Sequence, residues 1–196
     1  FISGTATGVT FKATGIAIPT PPAPAPEPAP EPVVIPAPVP APAPIPTLDW
    51  NPVGATVAPA GSIIQIGGVD ETVLVTANTS KDGIVVRGTQ WGINAQGIEF
   101  GGGTAPLLGG RVLVVQQGQQ VLVSGFGYQP NSVVKVYGYS PVILLGTVTV
   151  NAQGAFDASL LVSPDLQAGA GTLQINGYAP NGAVRSTSIG LEIRKA

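Results

Sequence analysis

Between residues 19 and 47 the chain reads PTPPAPAPEPAPEPVVIPAPVPAPAPIPT, with fourteen prolines in twenty-nine positions and no glycine. Each proline ring fixes φ and removes a backbone donor, so neither a helix nor an interior sheet strand can form there. The stretch is expected to be a polyproline II arm rising about 3.1 Å per residue, on the order of 90 Å if fully extended. Whatever else the chain folds into must be built on either side of this arm.

Upstream, residues 1–18 read FISGTATGVTFKATGIAI, where Val9, Phe11 and Ala13 alternate with Thr10, Lys12 and Thr14. That is the period-two pattern of a half-buried strand. It has no hairpin partner within reach, and a lone strand is not stable in water. Two readings follow. The leader is an export remnant carried by a wall-crossing linker, or it is a strand that pairs with a sheet of another subunit. In the second reading Val9, Phe11, Ala13, Ile16 and Ile18 are candidate contacts. Val33, Val34 and Ile35 of the arm join them, as does Trp50, which stands beside Pro52 at the arm's exit and could clamp proline rings. The chain opens on Phe1, which fits removal of a secretory signal, and export is expected.

Charge is scarce. Lys and Arg number 8 and Asp and Glu 10, together 9% of the chain against about 25% in an ordinary soluble domain. Such a surface suits a membrane or a body covered by copies of itself or by partners. A spanning helix needs about 20 apolar residues. The best run, VILLGTVTV at residues 142–150, is short, β-branched and broken by Gly146, so no membrane span is expected. The scattered cations form no basic stripe, which argues against a nucleic-acid partner.

With no histidine and no cysteine, Ser-His-Asp and Cys-His catalysis and the usual zinc sites are excluded. Asp70 and Glu71 are adjacent in a strand-like stretch and should point to opposite faces, which spoils them as an acid–base pair. Asp157 and Asp165 read as solvated turn acids, and no calcium-loop spacing occurs. GGGTAPLLGG, residues 101–110, lacks the ending of a phosphate loop and reads as a hinge joining two domains. Asn78-Thr79-Ser80 fits a glycosylation acceptor but equally an ordinary turn. Lys135, among valines, is the candidate for an isopeptide crosslink. No catalytic residue, cofactor or metal is expected, and the protein reads as a non-enzyme.

After the arm, turn signals recur every eight to twelve residues, as in a sandwich or barrel. Candidate strands are 62–66, 72–77, 84–90, 97–100, 112–115, 121–125, 132–139, 142–150, 155–162, 172–178 and 183–193. No window carries apolar residues at helical spacing. GTVTVNAQGAFDASLLV reads as one hairpin and TLQINGYAPNGAVRSTSIGLEI as another, turning at Asn181-Gly182. Trp91 is expected in the core of the earlier strands, and Tyr128, Tyr137, Tyr139 and Tyr178 gather in the later ones.

The later half also resembles a known module. Gly125-Phe126, Pro130, Ser132, Val134 and Val136 match the start of an immunoglobulin-like repeat of actinobacterial cell-surface proteins. Ser140, Pro141, Leu145, Gly146 and Thr147 match its centre. Leu173, Gln174, Asn176, Gly177, Pro180, Gly182, Val184, Arg185 and Ser186 match its end, and DGIVVRGTQWGINAQG resembles the segment that precedes it. The resemblance covers about residues 70–193 and departs from the pattern at Ala170, Asn131 and Asn181. It implies an extracellular structural β-sandwich without catalytic residues.

The expected fold is therefore all-β. An N-terminal strand (1–18) sits on a polyproline II arm (19–47), followed by a smaller β unit (48–110) and an immunoglobulin-like β-sandwich (111–196). The expected function is a cell-surface or secreted structural subunit that polymerises by donating its leader. The alternative is an adhesin or glycan-binding module, with glycan or cell-wall contact through a tyrosine-rich face.

Overall fold

The computed structural model describes residues 56–139 and 141–196, together with Gly8 and Gly15. The chain divides into two compact units, Phe1–Ala41 and Pro42–Ala196, and the described residues fall almost wholly in the second. The leader and the arm lie outside them.

Among the described residues the protein is all-β, with no helix. The strands are β1 (Ser62–Ile66), β2 (Val69–Asp70), β3 (Leu74–Ala77), β4 (Gly83–Arg87), β5 (Gly92–Gly97) and β6 (Leu113–Gln116). They continue with β7 (Gln120–Phe126), β8 (Val133–Tyr139), β9 (Ile143–Thr149), β10 (Ala155–Leu161), β11 (Gly169–Tyr178) and β12 (Val184–Arg194). Two sheets pack face to face as a β-sandwich. One has seven strands in the order β2-β1-β12-β11-β8-β9, with β6 also on β12, and the other has five in the order β10-β7-β5-β4-β3. Every pairing is antiparallel except β6 with β12.

Alternation builds the core. Val134 and Val136 of β8, Leu173 and Ile175 of β11 and Ile189 and Leu191 of β12 face inward from the seven-stranded sheet. Ile84 and Val86 of β4, Ile93 and Ala95 of β5, Val121 and Val123 of β7 and Phe156 of β10 meet them from the other. Branched and aromatic side chains of this kind, packed densely between two pleated faces, supply the main stabilisation of such a fold.

The expected boundary at residue 110 does not divide these sheets. β1 pairs with β12 from Ser62↔Ile189 to Ile66↔Arg185, and β5 pairs with β7 from Gly92↔Phe126 to Gly97↔Val121. Strands from both sides of residue 110 thus share each sheet and one core, and residues 111–196 are not a sandwich by themselves. Nor are residues 101–110 a hinge. Ala105 and Leu107 are buried, Ala105 N–H donates to Gly97 O, and Leu107 N–H donates to Lys81 O. The glycines turn the chain at either end of an anchored segment; Gly101 and Gly109 have φ of 103° and 59°, values an L side chain adopts with strain.

The two expected hairpins part ways. β11 and β12 form one along their whole length, turning at Asn181, whose Oδ1 accepts from Ala183 N–H, and at Gly182 with φ of 82°. β9 and β10 do not. The turn at Asn151 to Gly154 carries the chain from one sheet to the other, β9 pairing with β8 and β10 with β7.

Candidate functional site

The side chains expected to make subunit contacts, namely Val9, Phe11, Ala13, Ile16, Ile18, Val33, Val34, Ile35 and Trp50, all lie outside the described residues. The body's own surfaces differ sharply from one another. Along one side the sandwich is closed, since β9 and β10 meet edge to edge and Leu160 Cδ2 lies 2.6 Å from where a Cβ on Gly146 would stand. Along the other side it is open. β3 ends the five-stranded sheet, and its outer edge pairs with no strand among the described residues.

The inward side chains there, Val73, Val75 and Ala77, pack against the core yet are only partly buried, while Val86 on the neighbouring strand is 0% exposed. Leu74 on β3 is 61% exposed and Val69 on β2 is 68% exposed. β2 covers β1 only at Gln65 and Ile66. An edge of this kind offers backbone donors and acceptors beside an incompletely roofed apolar layer.

The two outer faces also contrast. On the five-stranded sheet, Arg87, Asn94, Ser124 and Phe126 surround a cleft of about 340 Å³ that includes Gly92. On the seven-stranded sheet, Thr172, Gln174 and Asn176 of β11 and Ser186 and Ser188 of β12 point away from the core, yet each is buried. Gln174 links them: Tyr139 Oη donates to its Oε1, and its Nε2 donates to Ser186 Oγ at 3.2 Å and Ser188 Oγ at 3.1 Å. Burial pushes the Tyr139 hydroxyl up to about 12, with nearby Tyr137 adding to it, so it stays a donor at neutral pH.

Two polar clusters hold the body together. Arg185 lies between the sheets with its guanidinium 4.3 Å from the Trp91 ring centroid and 5.3 Å from that of Tyr128, and its Nη1 donates to Gly127 O at 2.9 Å. Trp91 Nε1 donates to Glu71 Oε1 at 2.9 Å. Burial lowers the Arg185 pKa and raises that of Tyr128; stacking on aromatic faces compensates part of the cation's desolvation. Asp82 forms the second cluster, accepting from Thr104 Oγ1 at 2.6 Å, Asn78 Nδ2 at 2.6 Å and Gln96 Nε2 at 2.9 Å. The Thr104 hydrogen bond, then that of Asn78, holds its carboxyl below the ordinary 3.8.

Several sequence expectations resolve at these clusters. Trp91 is in the core, but a core that both halves share. Asn78 is engaged in a turn, its Oδ1 accepting from the N–H groups of Asp82 and Gly83. Asp70 accepts from Gln65 and Glu71 from Trp91, so the two acids serve different neighbours. Lys135 is half-buried on β8, on the face opposite Val134 and Val136, not in the core that an isopeptide crosslink requires. The tyrosines form no exposed face, because Tyr128 and Tyr139 are buried and Tyr137 and Tyr178 half-buried. Arg185 and Gln174 were legible only as motif matches; partners far away in sequence give them their roles. Among the described residues no three His, Cys, Asp or Glu side chains gather to hold a metal, and no helix is long and apolar enough to cross a membrane. No family model, curated protein or solved structure matches the chain.

Proposed function

We propose that the protein is an extracellular structural subunit that polymerises by donating the strand of residues 1–18 to a neighbouring copy, beside the edge of β3 that no strand among the described residues pairs with. The observation that carries this reading is the incomplete roof at that edge, where Val73, Val75 and Ala77 pack on the core but remain partly exposed. A strand presenting Val9, Phe11 and Ala13 on one face would extend the five-stranded sheet and bury that layer. Burial of one large apolar side chain contributes about 1.5–3 kcal/mol, and the ladder adds backbone hydrogen bonds. The arm, on the order of 90 Å if extended, gives the leader reach beyond its own body. A head-to-tail contact that does not close then propagates as a filament. The resemblance to surface-protein modules supports the extracellular setting.

Analytical ultracentrifugation of full-length variants tests this. The natural sequence should polymerise with concentration, Phe11→Asp should remain monomeric because it brings an unpaired carboxylate to an apolar layer, and Lys12→Asp, on the opposite face, should polymerise. Polymers of Phe11→Asp equal to the natural chain's would sink the proposal. The adhesin reading has one observation of its own, the cleft beside Phe126, where an aromatic face 47% exposed stands near Arg87, Asn94 and Ser124. A persistent monomer that binds an oligosaccharide, and loses it on Phe126→Ala, would favour that reading instead.

A further inference from the structure

An asparagine side chain can react with the backbone that follows it. The next residue's nitrogen attacks Asn Cγ, a five-membered imide forms as ammonia leaves, and water then opens the ring at either carbonyl to give aspartate or isoaspartate. Asparagine is thermolabile for this reason. Glycine is the neighbour that permits the attack best, because no Cβ shields the nitrogen or restricts the backbone. The chain holds two Asn-Gly pairs, Asn176-Gly177 and Asn181-Gly182, and one Asp-Gly pair, Asp82-Gly83. Sequence ranks the two asparagines alike; the fold separates them.

Two of the three pairs are closed. Asn176 is 1% exposed within β11, held between β8 and β12 opposite Lys135 and Ser186, and a Cβ on Gly177 would stand 2.7 Å from the Tyr128 ring. Backbone paired on both flanks cannot turn the Gly177 nitrogen toward Cγ, and water does not reach the amide. Asp82 is closed differently. Its carboxyl accepts from Thr104, Asn78 and Gln96, while Gly83 N–H donates to Asn78 Oδ1 at 3.2 Å, so electrophile and nucleophile are each held by another partner.

Asn181-Gly182 is open. Both residues are exposed at the tip between β11 and β12, and nothing stands within 4 Å of where a Gly182 Cβ would be. Ala183 N–H donates to Asn181 Oδ1 at 3.1 Å. This bond folds the side chain back along its own backbone and sets a donor on the oxygen where negative charge develops when Cγ is attacked. One contact opposes reaction, the hydrogen bond from Gly182 N–H to Ala179 O at 2.9 Å. It closes a turn at the exposed end of a hairpin, where such bonds open at little cost.

We propose that Asn181 is a site of spontaneous deamidation through a succinimide, selected by the hairpin tip over the chemically equivalent Asn176. Gly182 N bonds to Asn181 Cγ, its proton passes to water, and the Cγ–Nδ2 bond breaks with release of ammonia; hydrolysis of the imide restores an open chain. No electrons are exchanged, and water is the only co-reactant. The isoaspartyl product adds a negative charge to a chain of net charge −2. It also adds a methylene to the backbone just beyond Tyr178↔Val184, the pair that begins the ladder. The tip of this hairpin thereby changes with the age of the molecule, without an enzyme.

Full-length protein held at mildly alkaline pH, sampled over time and mapped by fragment-ion mass spectrometry, tests this, with isoaspartyl methyltransferase labelling to count the rearranged product. In the folded protein Asn181 should convert at least about tenfold faster than Asn176. In denaturing urea the two rates should converge. Asn181→Ser should remove the methyltransferase signal from the folded protein, with β-sheet circular dichroism unchanged. Equal conversion of the two asparagines in the folded state, or isoaspartate arising first at Asp82, overturns the proposal. So does a gap that persists in urea, which would assign the selectivity to sequence and not to the turn.

Discussion

The two outer faces of this sandwich are built from similar residues and live in different environments. Ser188 and Gln174 on the seven-stranded sheet are 2% and 3% exposed, while Gln96 and Ser124 on the five-stranded sheet are half-buried, Ser124 lining an open cleft. Composition therefore does not report which face of a sheet is covered. Both faces carry hydrogen-bond networks, and what distinguishes them is burial: Gln174 joins Tyr139, Ser186 and Ser188 in a network closed to water, while Gln96 joins Asn94 and Asp82 in one that is only part-buried. Hydrogen-bonding groups that water cannot reach must satisfy one another.

The sharpest way to break that contrast is to place the same charge on each face. Ser188→Asp should destabilise by roughly 3 kcal/mol or more, because the carboxylate would be buried without a cation. Ser124→Asp should cost less than about 1 kcal/mol, since water reaches the cleft. Thermal unfolding of both variants checks the difference, and equal costs would abolish the distinction.

A smaller effect comes from adding one methyl group. Gly190→Ala would bring a Cβ to within 1.9 Å of a backbone oxygen, Ala58 O, and should cost about 1–3 kcal/mol as residues 57–58 are pushed off the sheet. At Gly92 on the other face the nearest atom is Phe126 Cε1, at 2.8 Å, the far part of a side chain that can swing, and the nearest backbone atom, Val86 O, is at 3.1 Å, a contact relieved by a shift of a few tenths of an ångström. Gly92→Ala should accordingly lose less than Gly190→Ala, about 1 kcal/mol, in urea titrations.

The smallest effect belongs to Asp82, which ties the segment carrying Thr104 to the turn before β4. Its folded pKa is depressed below 3.8, chiefly by Thr104 and then Asn78. The sign follows: the stabilisation is present above the ordinary aspartate value and is lost as pH falls below 3.8 through the folded pKa. Asp82→Asn should flatten the acid limb of the stability profile below pH 4, measured by denaturant midpoints, and leave the neutral-pH contrast between the faces unchanged.

Local chemistry made much of this fold legible. β1 is the segment SIIQI that alternation and flanking turns delimit, and the Asn181-Gly182 turn joins β11 to β12 as its residue types demand. β5 was not legible, because GINAQG carries only Ile93 and Ala95 as apolar positions between two glycines; its strand character comes from β4 and β7 on either side. The turn at Asn151 looks identical in sequence whether it closes a hairpin or passes between sheets. Inward residues on both flanks fit either geometry, and only the pairing of β9 with β8 decides. The buried face was invisible for the same reason. Ser, Gln and Asn on a strand read as solvent-facing, and nothing in their own sequence signals that Val57 and Ala58 lie against Thr172 and Gly190.

The pairing of β12 has a consequence in time. This strand of eleven residues accepts β1 on one flank for Ser186 to Ile189 and neighbours, β6 on the same flank further along, and β11 on the other. Contacts between its sheet and the start of the body span separations such as the 115 residues from Val57 to Thr172. Closing loops of that length before any contact rewards them makes folding slow. Until β12 arrives, β1 has only the two residues of β2 to pair with, and the seven-stranded layer cannot be completed. The seven-stranded layer of the body therefore waits on the last of its twelve described strands.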